Sequence, residues 1–143
     1  LDNNLHKLDE HLQKAYKNAR YEVYKPPLSF SIGQKHPEMD KAFLQLYSDY
    51  QNWAFITAFN PASVSQSATF NTRNQKELLK LIRKKGYNYL EGEGGSHDDS
   101  WPPEKSILII NIAEKEALAL ARQFGQKAIV FGKKGGKAQL KAC

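Results

Sequence analysis

Cysteine is almost missing from this chain: Cys143, its last residue, is the only one. A lone thiol closes no internal disulfide, which excludes the disulfide-scaffold class and leads us to expect a cytoplasmic, reducing location. Long apolar runs are missing too. The longest, Ile107 to Ile110, is strand-sized, far short of the roughly 20 residues of a membrane span, so no membrane role is expected. Signal-peptide and lipidation patterns are not seen. The EF-hand spacing, the paired-histidine helix, the cysteine pairs of zinc sites and the phosphate-cradling loop are also lacking, so neither cofactor nor metal is expected. Nucleophilic catalysis lacks its parts. Ser63, Ser65 and Ser67 supply hydroxyls, but no base and orienting group can be assigned to them. Glu104 has no obvious second carboxylate to form a glycosidase-type pair, except in the acidic segment 91–99. The balance leans away from an enzyme.

What is present reads as an ordinary globular protein. An aromatic content of 11% argues against disorder, and 143 residues fit one domain spanning 1–143. The net charge of +6 permits an acidic partner. The basic residues are dispersed, however, over Lys14 to Arg20, Lys80 to Lys85 and Lys133 to Lys141. Lys80, Arg83, Lys84 and Lys85 form the densest group and would carry nucleic-acid association, if any exists.

The most informative stretch is Trp53 to Ser63, WAFITAFNPAS, a buried-type strand that breaks into Asn60-Pro61. Aromatic and β-branched residues dominate its first half, and Asn-Pro opens a turn. Upstream, Leu5, Leu8, Leu12, Ala15 and Tyr16 recur at helical steps, predicting a helix over 3–18 within the N-terminal 1–18 region. Residues 20–52 then read as an extended segment interrupted by Pro26-Pro27, followed by a helix from Pro37 to about Tyr50 that buries Met39, Phe43, Leu46 and Tyr47.

Downstream of Asn60 a basic helix with Leu78, Leu81 and Ile82 on its apolar stripe ends at Lys85, capped by Gly86. A short strand, Tyr87 to Glu91, leads into the Gly-rich, acidic segment 91–99, read as a flexible loop. Strands at 106–112 and 127–132 flank a helix over 113–124, and a Gly-containing turn leads to a last strand, 138–142. The order over 53–132 is strand, helix, strand, strand, helix, strand. That predicts an α+β fold with a ferredoxin-like (split βαβ) core, an antiparallel or mixed sheet, extra N-terminal helices and edge strands.

FITAFNP, a polar helix ending at Gly86, WPPE followed by Ser106, and ARQFGQKAIVF, in this order and spacing, resemble the bacterial family called domain of unknown function 3293. The resemblance covers about residues 20–132. It implies a standalone cytosolic protein with no established activity. The matched positions are Asn60, Pro61, Ser63, Arg73, Asn74, Trp101, Glu104, Ser106, Phe124, Gln126 and Ala128.

In the split βαβ order the first and third core strands lie side by side and antiparallel, which brings the exit at Asn60 beside the entry at Glu104 and Ser106. The candidate ligand-binding residues are therefore Asn60, Ser63, Arg73, Asn74, Trp101, Glu104, Ser106 and Gln126. One reading is a polar network that locks loops. The other is a site for a small anionic ligand, with Arg73 clamping the anion and Trp101 stacking on a planar group. A non-enzymatic interaction or small-ligand-binding protein is the leading expectation. A nucleic-acid-associated basic protein, or an enzyme on a nucleotide-like substrate with Glu104 as acid or base, are the alternatives. A protein partner and the oligomeric state stay open.

Overall fold

The computed structural model describes residues 3–98 and 102–143. Its centre is β3 (Asn52–Thr57) and β5 (Glu104–Ile110), paired antiparallel from Trp53↔Ile110 to Thr57↔Ser106. The middle of β3 and the second half of β5 are buried on both sides, because both faces of the sheet are covered there. β1 (Arg20–Val23), β2 (Leu28–Phe30), β4 (Tyr89–Gly95), β6 (Ala128–Lys133) and β7 (Gln139–Ala142) complete a seven-stranded sheet in the order β2-β1-β4-β5-β3-β6-β7. All its strand pairs are antiparallel. The expected α+β class holds, and the sheet is wider than a four-stranded core.

The sheet curls until its edges meet. Just past β2, the Gly33 amide donates to Ala138 O at 2.7 Å, and the Ala138 amide donates to Gln34 O at 3.0 Å. Lys35 and Lys137 form a bridge beside them. The outer face is packed by α3 (Ala68–Lys84) and α4 (Glu114–Gln123), whose Leu78, Ile82, Ala117, Leu120 and Ala121 meet Ala54, Ile56, Ile107 and Ile109. The inner face carries Tyr21, Phe30, Trp53, Phe55, Leu108 and Val130, with α2 (Pro37–Leu46) laying Met39 and Phe43 on it. α1 (Glu10–Lys17) covers the remainder of that side, with Leu12 and Tyr16 packed beside Leu8, Leu140 and Ala142.

Several expectations need correcting. The helix over 3–18 is broken: Leu5–Lys7 form one 3-10 turn, and extended backbone at Leu8 and Asp9 separates it from α1. Asp9 supplies the reason, since its carboxylate accepts the Leu12 amide hydrogen at 2.7 Å, and Asp is favoured as a helix cap but not inside a helix. Asp9→Ala is expected to cost about 1 kcal/mol in urea unfolding and to speed amide exchange along α1. No loss of stability and unchanged exchange would refute the cap.

α2 stops at Leu46, so Tyr47 turns away as an extended cap and Leu46 is 50% exposed rather than buried. The presumed flexible loop 91–99 is largely strand: β4 continues through Gly95 and pairs with both β1 and β5. Its glycines are required by close approach, not by looseness. A Cβ on Gly92 would strike the Glu22 carbonyl, and one on Gly94 would lie 3.2 Å from the Tyr21 ring. Asp99 lies outside the described residues.

Candidate functional site

Side chains alternate across a strand, so each strand of the curled sheet sends one row inward. Along β3 the inner row is Trp53, Phe55, Thr57; along β5, read toward the same end, it is Ile110, Leu108, Ser106, Glu104. Both rows change from apolar to polar at the Thr57 end. That end opens into a cavity of about 380 Å³, a size that suits a small molecule. Phe55 and Val130 line its inner wall, Gly94 and Gly95 of β4 keep one side low, and Leu12, Ala15, Tyr16 and Ala19 close it from the α1 side.

The polar end is organised by Asn60. Its side-chain amide donates to Glu104 Oε2 at 2.8 Å, and its Oδ1 accepts from Asn71 Nδ2 at 2.8 Å and from the Gln66 amide at 2.9 Å. The Asn60 backbone amide donates in turn to Asn71 Oδ1 at 2.9 Å. The expected meeting of the Asn-Pro corner with the Pro-Glu approach is therefore direct. The corner itself is strained: Asn60, Ala62 and Ser63 have φ of 46°, 58° and 62°. Left-handed backbone costs a non-glycine residue roughly 1–2 kcal/mol. It persists only where surroundings fix it, most often at functional sites. Here the Ala62 amide donates to Gly125 O at 2.8 Å, and Gln126 Nε2 donates to Phe59 O at 3.0 Å.

Glu104 is mostly buried, and desolvation raises its pKa above the usual carboxylate value, while the Asn60 hydrogen bond pulls it back in part. Its second oxygen, Oε1, has no hydrogen-bond partner among the described residues, yet no fully buried side-chain polar atom there goes unpaired. Oε1 therefore keeps some accessible surface, on a residue that lines the cavity. Burial likewise raises the Tyr16 phenol; a hydrogen bond with Ser63 pulls it back in part, and the Glu104 carboxylate raises it further. Burial also strongly raises the Tyr21 phenol, whose hydroxyl donates to Tyr16 O at 2.6 Å.

A raised carboxylate means that the folded state holds its proton more tightly than the unfolded chain. Stability contributed by neutral Glu104 is thus lost as pH rises through its pKa. Glu104→Gln, which mimics the protonated form, is expected to unfold at higher temperature than the natural protein at neutral pH and at the same temperature at pH near 4. A pH-independent gap between the melting curves would contradict the shift.

Of the residues expected at the site, Asn60, Ser63, Glu104, Ser106 and Gln126 line the cavity. Arg73 does not. It is exposed on α3 and borders a separate shallow depression with Thr69, Thr72 and Lys76. Asn74 is half-buried on the same helix and lines neither. Trp101 lies outside the described residues. Sequence reasoning missed Asn71, Thr57 and the two tyrosines.

Lys80, Arg83, Lys84 and Lys85 are all exposed on or just beyond α3. Arg83 Nε donates to the Tyr89 hydroxyl at 2.7 Å with its guanidinium 5.8 Å from that ring, and Lys85 sits 3.8 Å from Glu116. Among the described residues no His, Cys, Asp and Glu grouping could hold a metal, and no helix is long and apolar enough to cross a membrane.

Residues 56–129 match the model of a family described as a protein of unknown function, DUF3293. The chain belongs to that family. No curated protein and no solved structure matches it. The DUF3293 segment contains the polar lining of the cavity, Thr57, Asn60, Ser63, Ser65, Glu104, Ser106 and Gln126, with Asn71 behind Asn60, whereas Tyr16, Tyr21 and Leu140 come from outside it.

Proposed function

We propose that this DUF3293 protein binds a small, mainly apolar molecule in the mouth of its curled sheet and performs no chemistry on it. The single observation behind this reading is the cavity of about 380 Å³, lined mostly by apolar side chains and backed at one end by a pre-formed hydrogen-bond network. A purely loop-locking network would have no need of the empty volume beside it. One carboxylate residue lines the cavity with no second acid or histidine among its described lining, so general acid–base catalysis lacks a partner group. The reading does without the anion clamp expected from Arg73, which borders a different depression. We also read residues 1–143 as one domain built around this cavity, and the central β4-β5-β3-β6 order as a split βαβ unit extended on both sides.

Ligand-observed NMR against a small-fragment library tests the reading. Fragments should bind the natural protein and fail to bind Ala128→Phe, which places a ring in the cavity from β6. Fragments that bind the variant equally well would place the binding elsewhere.

A further inference from the structure

Resting on the cavity reading above, we propose that the bound molecule carries a protonated amine and that Glu104 is its counter-charge. The described cavity lining contains one carboxylate and not a single lysine, arginine or histidine. Asn60 satisfies Oε2 alone; among the described residues Oε1 has no donor, and it keeps accessible surface on a residue that lines the cavity. A carboxylate in such surroundings is a costly group to keep ionised unless a cation joins it. An alkylammonium supplies both missing elements, a positive charge and several N–H donors, and charge-assisted hydrogen bonds of this kind are the strong ones. The hydroxyls of Thr57, Ser63 and Ser106 lie in the same lining as further acceptors. Tyr16, Tyr21 and Phe55 also line the cavity, and aromatic rings attract a cation. An anionic molecule would meet Glu104 with nothing to offset the repulsion.

The protein's net charge of +6 does not oppose this. Its densest basic group stands in solvent on α3, the outer layer of the fold, and exposed charges are screened beyond about 8 Å at physiological salt. Among the described residues, Tyr16 on α1 and Tyr21 on β1 feel Glu104, and both are shifted upward and hence neutral across the acid and neutral range. Cys143, which acts on Tyr16, is shifted upward as well.

Three probes of one skeleton separate the possibilities: 2-phenylethylamine, 2-phenylethanol and phenylacetate, titrated calorimetrically into the full chain near neutral pH. The amine should bind about tenfold more tightly than the alcohol, and phenylacetate most weakly. In Glu104→Gln, checked for folding by its melting curve, the amine's lead should shrink to about twofold or less. In the natural protein the amine's affinity should fall between about pH 7 and about pH 4 as Glu104 takes up its proton, while the alcohol's stays level. Equal binding of amine and alcohol overturns the ammonium assignment and leaves the cavity reading standing. So does a lead that survives in Glu104→Gln, or phenylacetate ranking first. Failure of all three probes to bind overturns both.

Discussion

Asn60→Ala is expected to lower the stability of the protein by about 3 kcal/mol and its melting temperature by about 10 °C. Two separate losses make up that figure. Alanine has to occupy the left-handed backbone that Asn60 holds at φ 46°, a conformation asparagine tolerates through its short polar side chain. In addition, Asn71, only 6% exposed, loses the acceptor for its Nδ2, and a buried donor left without a partner costs roughly 1–3 kcal/mol. Asn60→Asp separates the two losses. Aspartate keeps the acceptor for Asn71 and tolerates the same backbone, but it brings a carboxylate to the position from which Asn60 donates to Glu104 at 2.8 Å. Two acids at that distance cannot both ionise readily, so Asn60→Asp should be close to the natural protein at low pH and lose stability as pH rises toward neutral. Thermal unfolding at pH 4 and pH 8 reads both variants. An Asn60→Ala melting point within about 2 °C of the natural protein would refute the anchoring role.

Trp53→Ala should cost more, about 3–5 kcal/mol, as deletion of a fully enclosed indole does. Trp53 is 2% exposed, its ring lies 4.8 Å from that of Phe30, and its indole occupies the space above Gly132 on the neighbouring strand. A Cβ at residue 132 would fall 2.5 to 2.7 Å from three indole atoms, closer than any side chain tolerates. Gly132→Ala alone should therefore destabilise by about 1–3 kcal/mol through overpacking. In the Trp53→Ala background the same change should cost far less, because the obstructing ring is gone. Urea unfolding of the two single variants and the double variant gives the coupling directly. Additive costs, with no coupling beyond about 0.5 kcal/mol, would show that the indole and the glycine do not share that space.

Elements with a strong local pattern were readable from sequence. The apolar runs 53–59 and 106–112 gave strands, and their antiparallel pairing places Asn60 against Glu104 as expected. The alternation along them also held more than was read: Thr57 lies two residues after Phe55, and Ser106 and Glu104 lie two and four before Leu108. That is the point at which the inner row turns polar. Asn71 was legible by the same kind of step. Extending the Leu78 and Ile82 stripe of α3 backward by three and four residues reaches Gln75, which accepts the Ala58 amide at 3.0 Å, and then Asn71. Arg73 is out of phase with that stripe and stands exposed, whereas Asn74, four residues before Leu78, is half-buried beside it without reaching the cavity.

Other features were not legible locally. The glycines of β4 have poor strand propensity, and only the Glu22 carbonyl and Tyr21 ring pressed against them explain their presence. Tyr16 and Tyr21 reach the site through sheet curvature, which joins segments far apart in sequence and leaves no periodic trace.

The helix that roofs the cavity has a kinetic meaning. No residue of α1 is fully buried, and its first turn is held by the Asp9 cap and by the Gln13 side chain, which donates to Leu5 O and Leu8 O. Segments held this lightly detach at a fraction of the free energy of whole-molecule unfolding. A guest seated beneath Tyr16 would therefore enter and depart by way of this helix swinging clear, its residence time governed by how often those few contacts release while the strands below stay intact.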